Sequence, residues 1–190
     1  RAPLPTRAEV ADVANAVLDG SDALMLSEET AVGDHPVEVV RTMDGIISAA
    51  ERSQREHPSP VSEDLHEDPV SWATAHAAVQ AALDLRAAAI LCPTRTGSTA
   101  LRVAAFRPPM KIVGISPFSH PRAMLALAWG VVPVGSPNEA PSVEAAEDVG
   151  VAVRTAVAAQ TVTPGDVVVV VAGSPSARPG GTDFVRVVTI

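Results

Sequence analysis

The first fifty residues show apolar positions with the spacing of helices, separated by one short apolar run. Val10, Val13 and Val17 recur every three or four residues, which is the period of one helix face. Thr6 with Glu9 three residues later predicts a capping box at the start of this helix, and Gly20 predicts its left-handed end. Residues 22–26 then predict a short strand, residues 27–35 a polar loop, and Pro36 the first turn of a second helix that runs to about residue 53.

The predicted strand at residues 22–26 is apolar on both faces. Such a strand needs parallel neighbours and helices that cover both faces of its sheet. Residues 1–54 do not provide them, so we expect this segment to be the closing part of a larger domain. The first residue is Arg1 and not methionine, which also favours a piece of a longer protein or a processed product.

Residues 55–69 are rich in proline and charge and lack periodicity, which predicts a linker. From residue 70 onward, helix and strand patterns alternate to the end of the chain, which indicates an α/β domain over residues 70–190. Five strands are expected, with helices between the first four, in a three-layer α/β/α sandwich. The last strand follows its predecessor through a loop without a helix. We therefore expect it to be antiparallel, because a parallel return needs about a dozen or more residues. The predicted helices are 70–85, 98–106, 120–128 and 142–160, and the predicted strands are 88–92, 111–116, 131–134, 167–172 and 185–190.

Composition narrows the function classes. The chain is 47% hydrophobic, which is enough for an ordered core. The net charge of −8, without a long basic run, argues against binding to nucleic acids or anionic membranes. No apolar run is long enough to span a bilayer, and no export signal opens the chain. Cys92 is the only cysteine, which excludes an intrachain disulfide and suggests a cytoplasmic protein. Its place in an apolar run predicts a buried, unreactive thiol.

The most informative polar loop is "PTRTGST", which follows the strand at 88–92. The glycine allows close approach of the backbone, the hydroxyl groups are donors, and the next helix presents free amides and a positive dipole end. An anion such as phosphate fits this combination, although it is not a Walker loop because the lysine is absent. The alternative is that a hydroxyl group merely caps the helix. The candidate phosphate-binding residues are Thr94, Arg95, Thr96, Gly97, Ser98 and Thr99.

A second glycine- and proline-rich loop, "GSPSARPGGTDF", follows the fourth strand. Ligands of open α/β sheets gather at the carboxyl ends of strands, and both loops leave strands at that end. Arg178 could close over a ligand held by the first loop, but taken by itself this loop is more typical of a flexible turn before an edge strand. Its candidate residues are Ser174, Arg178, Gly180 and Gly181.

Other polar residues predict little chemistry. Glu28 and Glu29 are adjacent and need not face one point, so a solvated loop is favoured over a metal site. The five histidines show no metal-ligand spacing. No metal site is predicted in this chain.

The segment "PTRAEVADVANAVLDGSDALMLSEETAVGDHPVEVVRTM" resembles closely a stretch of pyruvate kinases. That stretch is written PTRAE-x-x-DVANAVLDG-x-D-x-x-MLS-x-ETA-x-G. The later segments "TRTGSTALRVAAFRP", "MKIVGISPFSHPRAMLALAWGVVPV" and "GDVVVVVAGSPSARPGGTDFVRVV" are similar to the family as well, so the resemblance covers essentially the whole chain. One departure is Glu28, where the family usually has a small residue.

The resemblance implies that residues 1–54 are the last helix–strand–helix of an eight-stranded β/α barrel and that residues 70–190 are the regulatory domain. The family transfers a phosphoryl group from phosphoenolpyruvate to ADP with magnesium and commonly potassium. Its catalytic lysine, arginine and metal-binding carboxylates come from barrel strands preceding this segment, so the chain alone is expected to be inactive. Ser27 and Glu29 are possible rim residues of the barrel active site.

The resemblance also implies a role for the two loops. In regulated pyruvate kinases, the loop matching residues 94–99 cradles a phosphate of an allosteric effector, and the loop matching residues 174–182 closes over that ligand. Family effectors range from fructose bisphosphate to hexose monophosphates and nucleotides. A homotetramer is expected for the intact enzyme. The alternative is a stand-alone module that binds a phosphorylated metabolite or partners a separate barrel.

Overall fold

The structure, a computed structural model, describes residues 4–56, 68–136, 145–174 and 180–190. Most of the predicted linker and Arg178 of the second loop lie outside the described residues. The chain divides into two compact units, Arg1–Pro60 and Val61–Ile190. In the part that is described, no helix has both the length and the apolar composition needed to cross a bilayer.

The described part of the first unit contains three helices: α1 (Arg7–Leu18), α2 (Glu28–Ala31) and α3 (Pro36–Glu56). The predicted capping box is present, since the Thr6 amide donates to Glu9 Oε2 at 2.7 Å and the Glu9 amide donates to Thr6 Oγ1 at 3.3 Å. Gly20 has φ of +92°, as its predicted left-handed role requires. The capping box and the helix end each depend on residues that are close together in the sequence, so the sequence alone could indicate them.

The prediction of a strand at residues 22–26 was wrong, because none of these residues forms a strand. A strand is defined by hydrogen bonds to a neighbouring strand, and the described part of this unit offers no partner. Met25 is 85% exposed, so the apolar run is not buried within the unit. The predicted polar loop 27–35 also contains one helical turn, α2.

The second unit has the predicted order of helices and strands. Predicted and observed boundaries differ by three residues or fewer, except that 142–144 lie outside the described residues. The elements are α4 (Pro69–Asp84), β1 (Ala89–Pro93), α5 (Ser98–Ala105), β2 (Lys111–Ser116), α6 (Ser119–Leu125), β3 (Val131–Gly135), α7 (Ala145–Ala158), β4 (Val167–Ala172) and β5 (Phe184–Thr189).

The five strands form one sheet in the order β3-β2-β1-β4-β5. The pairs among the first four strands are parallel, and β5 is antiparallel to β4, as predicted. Two hydrophobic clusters cover the two faces. Ile90 packs with residues of α4 and α5 on one face, and Leu91 packs with residues of α7 on the other. The central strands are therefore buried on both faces, which explains their continuous apolar runs.

Cys92 belongs to the first of these clusters and has no exposed surface. Burial raises the pKa of its thiol far above the ordinary value, because the thiolate would lose its hydration. The expectation of an unreactive thiol agrees with this placement.

Candidate functional site

The first loop is fixed to the sheet where β1 ends. The Thr94 amide donates to the Ile115 carbonyl oxygen at 2.9 Å, which holds the loop against the end of β2. The Gly97 amide donates to Thr94 Oγ1 at 2.9 Å, so the loop turns tightly between them. Gly97 is the N-cap residue of α5 and has φ of +92°, a conformation in which a side chain would be strained.

At the start of α5, Gly97 is buried and Ser98 is half-buried, whereas Thr96 just before them is exposed. Gly97 has no side chain to cap the helix, and Thr96 Oγ1 accepts from the Ser98 amide at 3.4 Å instead. Helix geometry leaves the first amides without carbonyl partners inside the helix. Thr96 is exposed and also donates its hydroxyl proton to Ser98 Oγ at 3.0 Å. The loop therefore presents hydroxyl groups beside a helix N-terminus that is only weakly capped.

The structure brings the second loop to the same place. The Gly180 carbonyl oxygen accepts from Ser98 Oγ at 3.2 Å and from Arg102 Nη1 at 2.8 Å. Gly180 has φ of +80°, which favours glycine at this close approach. The two predicted loops thus meet at the N-terminal half of α5. Gly181 follows directly and leads to the buried Thr182.

A carboxylate closes the base of the second loop. Asp183 Oδ1 accepts from the Ser174 amide at 2.6 Å, and Asp183 Oδ2 accepts from Ser174 Oγ at 2.7 Å. Ser174 therefore holds the two ends of the loop together at its neck. Asp183 was missed by the sequence analysis, because an aspartate before a strand carries no sign of a partner nine residues earlier.

Below the loops lies a buried chain of hydrogen bonds, which we call the hydroxyl relay. It consists of Asp68, Ser71, Thr182 and Thr99. Asp68 Oδ2 accepts from Ser71 Oγ at 2.6 Å, Ser71 Oγ accepts from the Thr182 amide at 2.7 Å, and the Thr182 and Thr99 hydroxyls are 2.9 Å apart. The Thr99 hydroxyl is thus directed into the interior. The relay connects the start of α4, the second loop and α5.

The two arginines of the first loop region have different environments. Arg102 Nη2 lies 3.6 Å from Asp68 Oδ2, so this guanidinium is held by the relay and by Gly180. Arg95 is exposed, and its Cζ lies 5.3 Å from the ring centroid of Phe118. Arg95 forms no ion pair with any described carboxylate, which leaves its charge available near the loop. Sequence reasoning alone did not separate these two roles.

The possible rim residues lie in the first unit. The Ser27 amide donates to Glu29 Oε2 at 2.9 Å, so this carboxylate supports the first turn of α2. Within the described residues, no group of three histidine, cysteine, aspartate or glutamate side chains converges on a possible metal position.

Comparison with known families matches residues 72–188 to the pyruvate kinase alpha/beta domain and residues 1–40 to the pyruvate kinase barrel domain. The chain is 40% identical over 190 residues to a pyruvate kinase of Geobacillus stearothermophilus, covering 98% of this chain and 32% of that protein. It is 40% identical over 188 residues to pyruvate kinase 2 of Synechocystis, covering 97% and 30%. It is 39% identical over 194 residues to a pyruvate kinase of Methylorubrum extorquens, covering 97% and 38%. The chain thus spans about a third of the length of these relatives.

Proposed function

Because this chain belongs to the pyruvate kinase family, we propose that it is the C-terminal part of such an enzyme and that its α/β domain binds a phosphorylated regulatory ligand. The observation that carries the proposal is the meeting of the two loops. Ser98 and Arg102 of α5 both donate to the Gly180 carbonyl oxygen, so the second loop lies beside Ser98, whose hydroxyl accepts from the exposed Thr96.

The chemistry of this place suits a phosphate group. Backbone amides at a helix N-terminus and the helix dipole stabilise an anion by about 0.3–1 kcal/mol, and up to about 2 kcal/mol when partly buried. Thr96 is exposed beside these amides, and the Arg95 guanidinium lies one residue away in sequence. We place the phosphate against Thr94, Thr96, Gly97 and Ser98, with Arg95 as the cationic group.

The second loop provides the cover. Ser174 and Asp183 join the two ends of this loop by a hydrogen bond. Gly180, three residues before Asp183, is bonded to Ser98 of α5. We propose that Arg178 and the adjoining residues, including Gly181, close over the sugar or nucleoside part of the ligand.

Phosphoryl transfer from phosphoenolpyruvate to ADP, the last step of glycolysis, is proposed for the whole enzyme with Mg²⁺ and K⁺. Within that enzyme, the α/β domain of this chain has a regulatory role. Phosphoryl transfer depends on cations and positioned phosphates, and we expect these 190 residues assayed alone to be inactive. A homotetramer in the cytoplasm is proposed for the intact enzyme. β5 lies at the edge of the sheet and could pair with another copy.

Calorimetric titration with fructose bisphosphate, glucose 6-phosphate, ribose 5-phosphate and AMP tests the binding proposal. We expect one ligand to saturate the wild-type chain and to bind about tenfold more weakly to Thr96→Ala, because a hydrogen bond to a charged group is lost. Thr189→Ala is the matched control, since Thr189 is exposed at the opposite end of β4 and β5. Equal affinity for all three proteins would contradict the proposed role of the first loop.

A further inference from the structure

A second concave surface lies between α6, the end of β3 and α7. Its volume is about 730 Å³, which is within the range of small-molecule pockets, roughly 300–1,000 Å³. None of its lining residues belongs to either loop. β3 also lies at the opposite edge of the sheet from β5, which the second loop enters. The polar lining residues are Arg122, Ser136, Arg154 and Thr155.

Arg122 is held in place on the wall of this pocket. Its Nη1 donates to the Ser116 carbonyl oxygen at 2.9 Å. The guanidinium lies beside Gly135, since a methyl group at that position would be in ordinary van der Waals contact with Arg122 Cζ, at 3.7 Å. One side chain from α6 thus places a fixed positive charge at the end of β3.

Arg154 reaches the pocket from α7. Gly150, one turn earlier on this helix, leaves space for its guanidinium, since a methyl group there would lie only 3.2 Å from Arg154 Nη1. Neither Arg122 nor Arg154 forms an ion pair with a described carboxylate. Two guanidinium groups therefore line one pocket in a chain whose net charge is −8.

The rest of the lining combines apolar and hydroxyl groups. Val134 and Val151 provide apolar walls, and Ser136 and Thr155 provide hydroxyl groups. Guanidinium groups recognise phosphate and carboxylate oxygens through paired N–H donors. We propose that this pocket is a second binding site, for a small organic anion. Its phosphate or carboxylate group lies between Arg122 and Arg154, and its apolar part lies against Val134 and Val151.

Phenyl phosphate and inorganic phosphate are the probes, and amide chemical shifts of the isotope-labelled full chain are the readout. We expect phenyl phosphate to saturate in the millimolar range and to move the signals of Gly135, Ser136 and Thr155. It should bind more tightly than inorganic phosphate, because the apolar walls contact only the ring. Benzoate is the third probe. Comparing its affinity with that of phenyl phosphate shows whether the pocket prefers a carboxylate or a phosphate group.

Variants make the assignment specific. Arg154→Gln should weaken binding about tenfold or more, because a charge-assisted hydrogen bond is lost. Arg122→Gln should have a similar effect, although it also removes a bond to Ser116. Arg154→Gln is therefore the variant that is less expected to disturb the fold. Arg186→Gln is the matched control, since Arg186 is an exposed arginine on β5. Thr96→Ala should leave this binding unchanged, which separates the pocket from the site of the two loops.

Two results would overturn the inference. Unchanged affinity in Arg154→Gln would show that the guanidinium does not bind the anion. Absence of any shift at Gly135, Ser136 and Thr155 would show that the pocket is not a binding site.

Discussion

Replacement of Ser71 by alanine tests the hydroxyl relay below the two loops. Ser71 has no exposed surface, accepts from the Thr182 amide at 2.7 Å and donates to Asp68 Oδ2 at 2.6 Å. Alanine fills almost the same space but removes both hydrogen bonds. Thr182 is 1% exposed, so water cannot replace the lost partner of its amide without rearrangement.

The expected cost follows from this geometry. A buried donor that loses its partner is destabilised by about 1–3 kcal/mol. With a urea dependence of roughly 2 kcal/mol per molar for a domain of this size, a loss of about 2 kcal/mol lowers the unfolding midpoint by about 1 M. The effect should appear in the second unit, because α4, α5 and the second loop all belong to it.

Urea unfolding followed by tryptophan fluorescence measures this effect selectively. The chain has two tryptophans, Trp72 and Trp129, and both lie in the second unit. Ser119→Ala is the matched control, since Ser119 is exposed on α6. A midpoint for Ser71→Ala equal to that of the control would refute the account of the relay.

Three further predictions follow from packing. Gly114→Ala should destabilise the second unit by about 1–3 kcal/mol in the same urea assay, because the new methyl group would lie 2.7 Å from Leu125 Cδ1; an unchanged midpoint would mean that Leu125 moves without cost. Gly45→Ala should raise helix stability in α3 by about 1 kcal/mol, measured by hydrogen exchange, because nothing lies within 4 Å of the new group. Cys92 should react with a thiol reagent only after unfolding, measured by mass spectrometry, and rapid labelling of the folded chain would contradict its burial.

Much of the fold could be predicted because its signals are local. The strand at 167–172 is a run of five valines followed by an alanine, which is typical of a strand covered on both faces, and its bounds agree with β4. The connection before β5 has no helical pattern. This indicated an antiparallel strand, because a parallel return needs a longer crossover, and β5 is antiparallel to β4. The segment at 22–26 has an equally apolar pattern but forms no strand, because a strand depends on neighbours that its own sequence does not supply.

In the candidate site, too, local features could be predicted from the sequence, whereas contacts between distant residues could not. The hydroxyl groups and the glycine of residues 94–99 could be identified from their place between a strand and a helix. The bond from Ser98 to Gly180 joins residues 82 positions apart, and that from Thr182 to Ser71 joins residues 111 positions apart. Such side-chain contacts have no period or spacing in the sequence. Asp68 falls in the predicted linker at residues 55–69, and its contact with Arg102 required the structure.

The central claim is that the two loops form one phosphate-binding site, and it is tested most directly by amide chemical-shift mapping with the one of the four ligands that saturates in calorimetry. We predict saturable shifts at residues 94–100 together with residues 180–182, and about tenfold weaker binding by both sets in Thr96→Ala. Shifts confined to one loop, or saturable binding that moves neither set, would contradict the claim.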